Sequence, residues 1–318
     1  METSFTRLVG CRRPIQLAPI GGVELVAAVC EAGGLGMLAQ HLSSPAALEA
    51  DLGALAARTR GAYGVNFLMP FLDPKCVELA ARSARVVEFF YAEPDAALVK
   101  RAGAAGARVG WQVGSLAEAH AAQRAGCDFV VVQGTEAGGH VRGKERLIPL
   151  LTEAARELRV PVVAAGGIAT ARDFADVLAC GASAARVGTR FVASRESDAH
   201  PSYVAALLGA RAEDTVLTEA FGNGWPNAPH RVLRSALAAA ERLGDGVAGR
   251  MRVGTSEVPI ARHSPICPTR DTTGAVDAMA LYAGESVANV DSVKSAAEIV
   301  EELCLGAESL LAGTGNCA

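Results

Sequence analysis

Two hydrophobic rhythms alternate along the chain up to about residue 200. Short continuous apolar runs recur, and between them apolar residues fall at three- and four-residue spacing. A continuous run suits a strand buried on both faces of a parallel sheet, and the wider spacing suits a helix laid over it. The runs predict strands at 15–20, 35–39, 63–69, 86–91, 107–113, 128–133, 160–165 and 184–187. The spaced stretches predict helices at 23–32, 45–58, 75–83, 95–102, 115–124, 149–158 and 170–179. Punctuation agrees: Ser43 or Ser44 precedes Pro45, Pro70 stops the third strand, and Ser115 and Thr170 stand where helix caps belong.

A weak internal repeat supports the count. A helix ending in Ala-Gly or Cys-Gly, followed shortly by an apolar strand, recurs at Ala32-Gly33, Ala105-Gly106, Ala125-Gly126 and Cys180-Gly181. Such a glycine ends a helix in a left-handed conformation and turns the chain back to the sheet. Strands alternating with helices in this way predict the α/β class and a (β/α)₈ TIM barrel over residues 1–214. An open doubly wound sheet would show G-x-G-x-x-G after its first strand, and Gly21-Gly22 lacks that spacing.

After about residue 200 the rhythm breaks. The segment 201–208 reads as the eighth helix. Residues 215–275, which include Gly222-Asn223-Gly224-Trp225-Pro226-Asn227, are too long for an ordinary βα loop and read as a small lid or side element. Residues 276–318 read as C-terminal helices that pack back on the barrel.

Composition narrows the function classes. Half of the 318 residues are hydrophobic, only 5% are aromatic, and the formal net charge is −4. No long basic run marks a nucleic-acid surface. No apolar stretch has transmembrane length, and residues 1–14 lack the apolar core of a signal peptide. The cysteines Cys11, Cys30, Cys76, Cys127, Cys180, Cys267, Cys304 and Cys317 form no CxxC pair, so no metal site is expected and a reduced cytoplasm is the natural setting.

The candidate chemistry lies at the C-terminal strand ends, which share one mouth in a barrel: 18–22, 66–71, 112–114, 133–140, 166–167 and 188–189. The segment from Val130 to His140 runs from an apolar strand into Gly134, Gly138, Gly139 and His140. A histidine there can exchange protons near neutral pH, though the motif taken alone reads more readily as a tight turn with a surface histidine. Gly166-Gly167 and Gly188-Thr189 follow strands seven and eight, the usual phosphate cradle of this fold. Weaker candidates are His41 at the end of strand two, His120 on a helix, and His200, His230 and His263 in the late region. Glu136 reads as orienting its turn, Glu196 with Arg190 as a structural ion pair, and 222–227 as a solvent-exposed loop rather than a cover for the mouth.

Taken together, several segments resemble the nitronate monooxygenases, a superfamily that also holds flavin-dependent enoyl-acyl-carrier-protein and quinone reductases. They are Gln16 to Gly22, Tyr63 to Phe67, Gln133 to His140, Ala164 to Ala169, and Gly188 to Phe191 with Glu196; Leu281 to Glu285 matches more weakly. The resemblance implies FMN at the barrel mouth. Ala18, Pro19 and Ile20 would pass beside the flavin ring, and Asn66 and Gln112 would bond its polar edge or ribityl chain. Gly138, Gly139, Gly166, Gly167, Gly188 and Thr189 would hold the ribityl phosphate. His140 would face the substrate, with Gly21 and Tyr282 in the substrate pocket. Two departures stand out: Ala283-Gly284-Glu285 replaces the usual Ala-Gly-Gln, and Gln112 occupies a position that is lysine in some quinone reductases. A carboxylate at 285 would repel an anionic nitronate or face solvent.

The implied activity is oxidation of alkyl nitronates by O₂ to a carbonyl compound and nitrite, with His140 as base toward neutral nitroalkanes. The rivals are NAD(P)H-dependent reduction of quinones or enoyl thioesters, a flavin-free isomerase or lyase acting on a phosphorylated substrate, and a non-catalytic binding barrel. A small-molecule substrate and O₂ are the expected partners. The late segment could serve as lid, as dimer arm, or as both.

Overall fold

The computed structural model describes residues 1–318 except 41–43, 245, 254–255 and 315–318. Among the described residues, eight parallel strands form one sheet in chain order: Ile15–Leu17, Gly36–Gln40, Tyr63–Leu68, Val86–Phe90, Arg108–Val113, Phe129–Gln133, Val162–Ala165 and Ala184–Val187. The eighth pairs with the first, Ile15 opposite Ala185. Leu17 N–H bonds to Leu35 O at 2.9 Å and Leu35 N–H to Ile15 O at 2.8 Å, which joins the first strand to the second and closes the barrel. Each predicted strand is present, some trimmed at an end. The first stops at Leu17 because Pro19 has no N–H for a ladder and Ile20 N–H turns back to Ala18 O at 2.8 Å.

Helices Val23–Glu31, Pro45–Arg58, Pro74–Ser83, Ala96–Ala104, Leu116–Arg124, Leu147–Glu157 and Ala171–Ala179 cover the barrel. Side-chain oxygens of Ser44, Asp73, Asp95, Ser115 and Thr170 cap five of them. The repeated glycines end their helices as expected: Gly33, Gly106, Gly126 and Gly181 all have positive φ, between 92° and 101°.

The eighth helix differs from the expectation. The helix Pro201–Leu208 leaves the barrel wall and packs with Phe221, Val232, Leu233 and Leu281 in a separate core. The wall position is filled by Ala296–Thr314, which packs against Ala171–Ala179 and Val23–Glu31. Its Gly306 lies so close that an added Cβ would stand 2.4 Å from Ala171 Cβ. The two ends of the intervening excursion meet where Arg195 N–H bonds to Lys294 O at 3.0 Å. About a hundred residues are thus inserted between the eighth strand and its helix, which is why the periodic pattern breaks near residue 200.

The insertion builds two small sheets, the first together with Gly139–His140 from the turn after the sixth strand. Gly139–His140, His230–Leu233 and Thr215–Thr218 form one; Val247–Val253, Ser256–Ala261 and Thr273–Gly274 form the other. Residues 276–286, expected to be helical, make only short 3₁₀ turns at Val276–Ala278 and Glu285–Asn289. No helix among the described residues is long and apolar enough to cross a membrane.

Strand residues alternate between the helix side and the barrel interior. In the fourth strand Val87 and Phe89 face the helices while Val86 and Glu88 face inward. The N-terminal helix Ser4–Val9 plugs the bottom of the interior. Its Phe5 meets Phe129 edge to face at 5.3 Å, and Val9, Met37, Val86, Val131 and Val163 complete an apolar layer.

Candidate active site

A cavity of about 510 Å³ opens at the C-terminal ends of the strands. Every site residue expected from sequence lies on its wall. Ala18, Pro19, Ile20 and Gly21 come from the first strand end, Asn66 from the third and Gln112 from the fifth. Gly138, Gly139 and His140 follow the sixth strand, Gly166 and Gly167 the seventh, Gly188 and Thr189 the eighth, and Tyr282 comes from the insertion. Ile20 is an exposed large apolar residue, and the surface it presents is cavity wall.

Beneath the cavity lies a polar layer. Glu88 is fully buried and accepts from Asn66 Nδ2 at 2.7 Å, from Gln16 Nε2 at 3.0 Å and from Arg186 Nη2. Arg186 also donates to Gln112 Oε1, and from Nε to Gln16 Oε1 at 3.4 Å. A carboxylate only accepts and a guanidinium only donates, so this pair fixes which way the three amides point. Asn66 Oδ1 is left buried with no protein partner, and so is Gln133 Oε1, whose Nε2 donates to His140 O at 2.9 Å. Two orphaned acceptors on one cavity wall call for a ligand with N–H or O–H groups. The layer also answers the sequence point about Gln112: the residue is neutral, but a cation from the eighth strand touches it.

The cradle is built by close backbone approach. An added Cβ on Gly138 would stand 2.6 Å from Gly284 N, and one on Gly284 would stand 2.9 Å from both Glu136 O and Gly138 N. Gly166 and Gly167 take φ of 111° and 72°, where a side chain is strained. Thr189 Oγ1 accepts from Gly284 N at 3.0 Å, which leaves its O–H free to donate. The weakly matching stretch Leu281–Glu285 is therefore the segment that closes the cradle. Its Glu285 neither faces the cavity as a loose charge nor stands free in solvent. It pairs with Arg146 at 3.2 Å and Arg231 at 3.3 Å.

His140 sits in an aromatic surround. Trp225 stacks on its imidazole at 3.9 Å and 22°, and Trp225 in turn meets Phe71 at 5.2 Å and Tyr91 at 4.7 Å. The segment 222–227, read from sequence as an exposed loop, instead delivers a nearly buried indole to the cavity wall. Tyr91 holds a left-handed φ of 75° directly after the fourth strand, a strained conformation that aims its ring at Trp225, and burial pushes its phenol up to about 12. The Tyr282 hydroxyl is committed to Pro265 O at 2.8 Å.

The other candidates resolve individually. Phe221 N–H donates to His230 Nε2 at 3.1 Å, so Nδ1 carries the proton toward Ala228 O at 2.9 Å, and burial pushes the pKa of this histidine down. It is a neutral structural residue paired across strands with His140. Glu136 accepts from Leu147 N–H at 3.0 and 3.1 Å and so orients its turn. Arg190 donates to Ser292 O and Glu196 accepts from Ala296 N–H, so each anchors the C-terminal segment rather than forming the expected ion pair. His120 pairs with Glu157 on the surface, and His200 caps the helix at Pro201. His263 lies in the insertion with φ of 63°, and His41 falls outside the described residues. Sequence reading missed Glu88, Arg186, Trp225 and Asp198, a cavity-wall carboxyl that burial holds above the usual range. For the first two a signal existed: a charge inside a strand buried on both faces needs a partner.

A family model described as nitronate monooxygenase matches residues 72–306. A (3aS,4S,5R,7aS)-5-hydroxy-7a-methyl-1-oxo-octahydro-1H-indene-4-carboxyl-CoA dehydrogenase from Rhodococcus jostii is 33% identical over 241 residues, covering 74% of this chain and 67% of its own length. A nitronate monooxygenase from Pseudomonas aeruginosa is 32% identical over 290 residues, covering 75% of this chain and 83% of its own. The solved structure of FabK from Thermotoga maritima matches with a TM-score of 0.82 and 27% identity over 100% of both chains.

Proposed function

The chain belongs to the nitronate monooxygenase family of flavin-dependent oxidoreductases, and from that premise we propose that it binds FMN in this cavity and oxidises alkyl nitronates with O₂. The observation that carries the cofactor reading is the pair of orphaned buried acceptors, Asn66 Oδ1 and Gln133 Oε1, on a wall that also holds glycine turns after the seventh and eighth strands. A flavin's imide N–H and ribityl hydroxyls are donors of the required kind. A single terminal phosphate suits backbone N–H groups at Gly166-Gly167 and Gly188-Thr189. Ile20, Leu68 and Ala39 add the apolar wall that a planar ring needs.

When bound, the flavin supplies the electron transfer that carries a nitronate to a carbonyl compound and nitrite with O₂. The protein's own part is positioning and proton handling. His140 holds its imidazole on the cavity wall, with its carbonyl tied by Gln133 and its ring stacked on Trp225. Toward a neutral nitroalkane it takes the α-proton; toward a nitronate, its protonated form holds the anion's charge. Phe71, Trp225 and Tyr282 keep water from that side of the cavity. The setting proposed for this chemistry is the cytoplasm, where the buried thiols of Cys30, Cys127 and Cys304 stay reduced.

A second reading, NAD(P)H-dependent reduction of an extended apolar substrate, draws on Met251, Pro265, Ile266 and Pro268, which extend the apolar wall outward from the cradle. Anaerobic titration separates the two. Bleaching of the flavin band by a nitronate and not by NAD(P)H supports the oxidase reading, and the reverse moves the assignment to the reductases. Replacing His140→Asn should leave the flavin bound and lower turnover of neutral nitroalkane about a hundredfold. Unchanged turnover would remove His140 from its role.

A further inference from the structure

We propose that the buried Glu88–Arg186 pair sets the reduction potential of the cofactor above it, with Arg186 presenting positive charge to the cavity and Glu88 attenuating it from behind. The inference rests on the flavin reading of the cavity and deepens it. Arg186 lies on the cavity wall; Glu88, fully buried on the fourth strand across the barrel from the eighth, does not reach it. The pair is therefore a dipole with its positive end toward the ligand. Three of the five guanidinium N–H groups are accounted for by Gln16, Gln112 and Glu88, which lock the cation in place.

The placement is not what stability alone would select. A buried ion pair contributes little to folding, and apolar residues of similar volume are commonly as good. One inward step down the same strands, at Val86 and Ala184, the interior is aliphatic. The charge appears only in the layer that touches the cavity. Uptake of two electrons and one proton leaves a flavin ring with one net negative charge, and a fixed cation favours that form. A unit charge about 10 Å away in a medium of effective dielectric ~20 changes such an equilibrium on the order of tenfold.

The test measures the midpoint potential of the FMN-loaded protein by dithionite reduction against a reference dye. Arg186→Gln should lower the potential by about 30 mV or more, a tenfold change for a two-electron couple. Glu88→Gln, which leaves the cation unattenuated, should raise it. The double variant Glu88→Gln/Arg186→Gln should fall between the two singles and below the wild type, and Arg186→Lys should stay near the wild type. A merely structural layer would move both singles in the same direction, and that result overturns the inference, as does no shift in either. Should the singles fail to fold, the double variant and Arg186→Lys carry the test: a double variant at the wild-type potential overturns the inference. A wild-type chain that takes up no flavin overturns the flavin reading itself; a loaded chain with unmoved potentials overturns this inference alone.

Discussion

The barrel interior has two layers with opposite characters, separated by one inward step along each strand. The lower layer is Phe5, Met37, Val86, Phe129, Val131, Val163 and Ala184, close-packed and apolar. The upper layer is Gln16, Asn66, Glu88, Gln112 and Arg186, buried as deeply but polar and charged. Val86 and Glu88 are two residues apart on one strand, as are Ala184 and Arg186 on another. The same backbone thus supports both, and the difference is one of purpose. The lower layer supplies folding free energy through burial. The upper layer fixes amide directions and leaves acceptors unsatisfied toward the cavity, an arrangement that has value only when a ligand completes it. This matches the rule that the C-terminal end of a barrel carries chemistry and the N-terminal end stability.

The sharpest way to break the contrast is to damage each layer separately. Phe129→Ala should cost about 3–5 kcal/mol in denaturant unfolding while the purified protein keeps its flavin, because the cavity left lies a full layer below the site. The double variant Glu88→Gln/Arg186→Gln should cost far less, since no charge remains uncompensated. If the order were reversed, the upper layer would be structural and the division would fail.

Next in size is the cradle. Gly138→Ala places a methyl 2.6 Å from Gly284 N, so the Leu281–Glu285 segment must move away. Affinity for added FMN should fall roughly tenfold or more, a loss of about 1.4 kcal/mol at the least, read by fluorescence titration. Retained affinity would show that the Gly138–Gly284 approach is not part of the site.

Trp225→Ala tests the cap against the barrel. Losing the indole removes the ring stacked on His140, and a misplacement of about 1 Å at a reacting group is worth up to a hundredfold in rate. Turnover of a neutral nitroalkane should drop tenfold or more, while FMN affinity holds. Equal losses in both would assign Trp225 to cofactor binding instead.

The smallest effect concerns His230. Its folded-state pKa lies below the unfolded value near 6.5 because burial opposes its charged form. The unfolded chain therefore binds the extra proton first, and the stability this residue contributes is full above pH 6.5 and is lost as pH falls through the depressed folded value. Replacing His230→Gln should flatten that acid-side slope in urea unfolding; an unaltered slope would place the dependence elsewhere.

Much of the barrel was legible because parallel strands buried on both faces leave unbroken apolar runs, and because Gly33, Gly106, Gly126 and Gly181 mark four of the returns to the sheet. The mouth residues at 18–22, 66–71, 112–114, 133–140, 166–167 and 188–189 followed from strand ends, whereas Tyr282, in the insertion, came only with the family resemblance. What stayed hidden depends on contacts between distant segments. The eighth wall helix, Ala296–Thr314, is separated from its strand by the insertion, so the nearer amphipathic stretch Pro201–Leu208 looked like the natural choice. Trp225 sits among turn residues that resemble any surface loop, and its burial comes from Phe71, Tyr91 and His140, each from a different part of the chain. Glu88 and Arg186 stand ninety-eight positions apart, and only barrel closure brings them together.

The central claim is that the backbone cradle and the unsatisfied upper layer together form an FMN site. The most direct measurement is the visible spectrum of the purified protein, followed by the mass of the chromophore released on denaturation. The account predicts a yellow protein, or a colourless one that turns yellow with added FMN, releasing FMN at one per chain. A colourless protein that refuses FMN would contradict it, and so would release of a different chromophore.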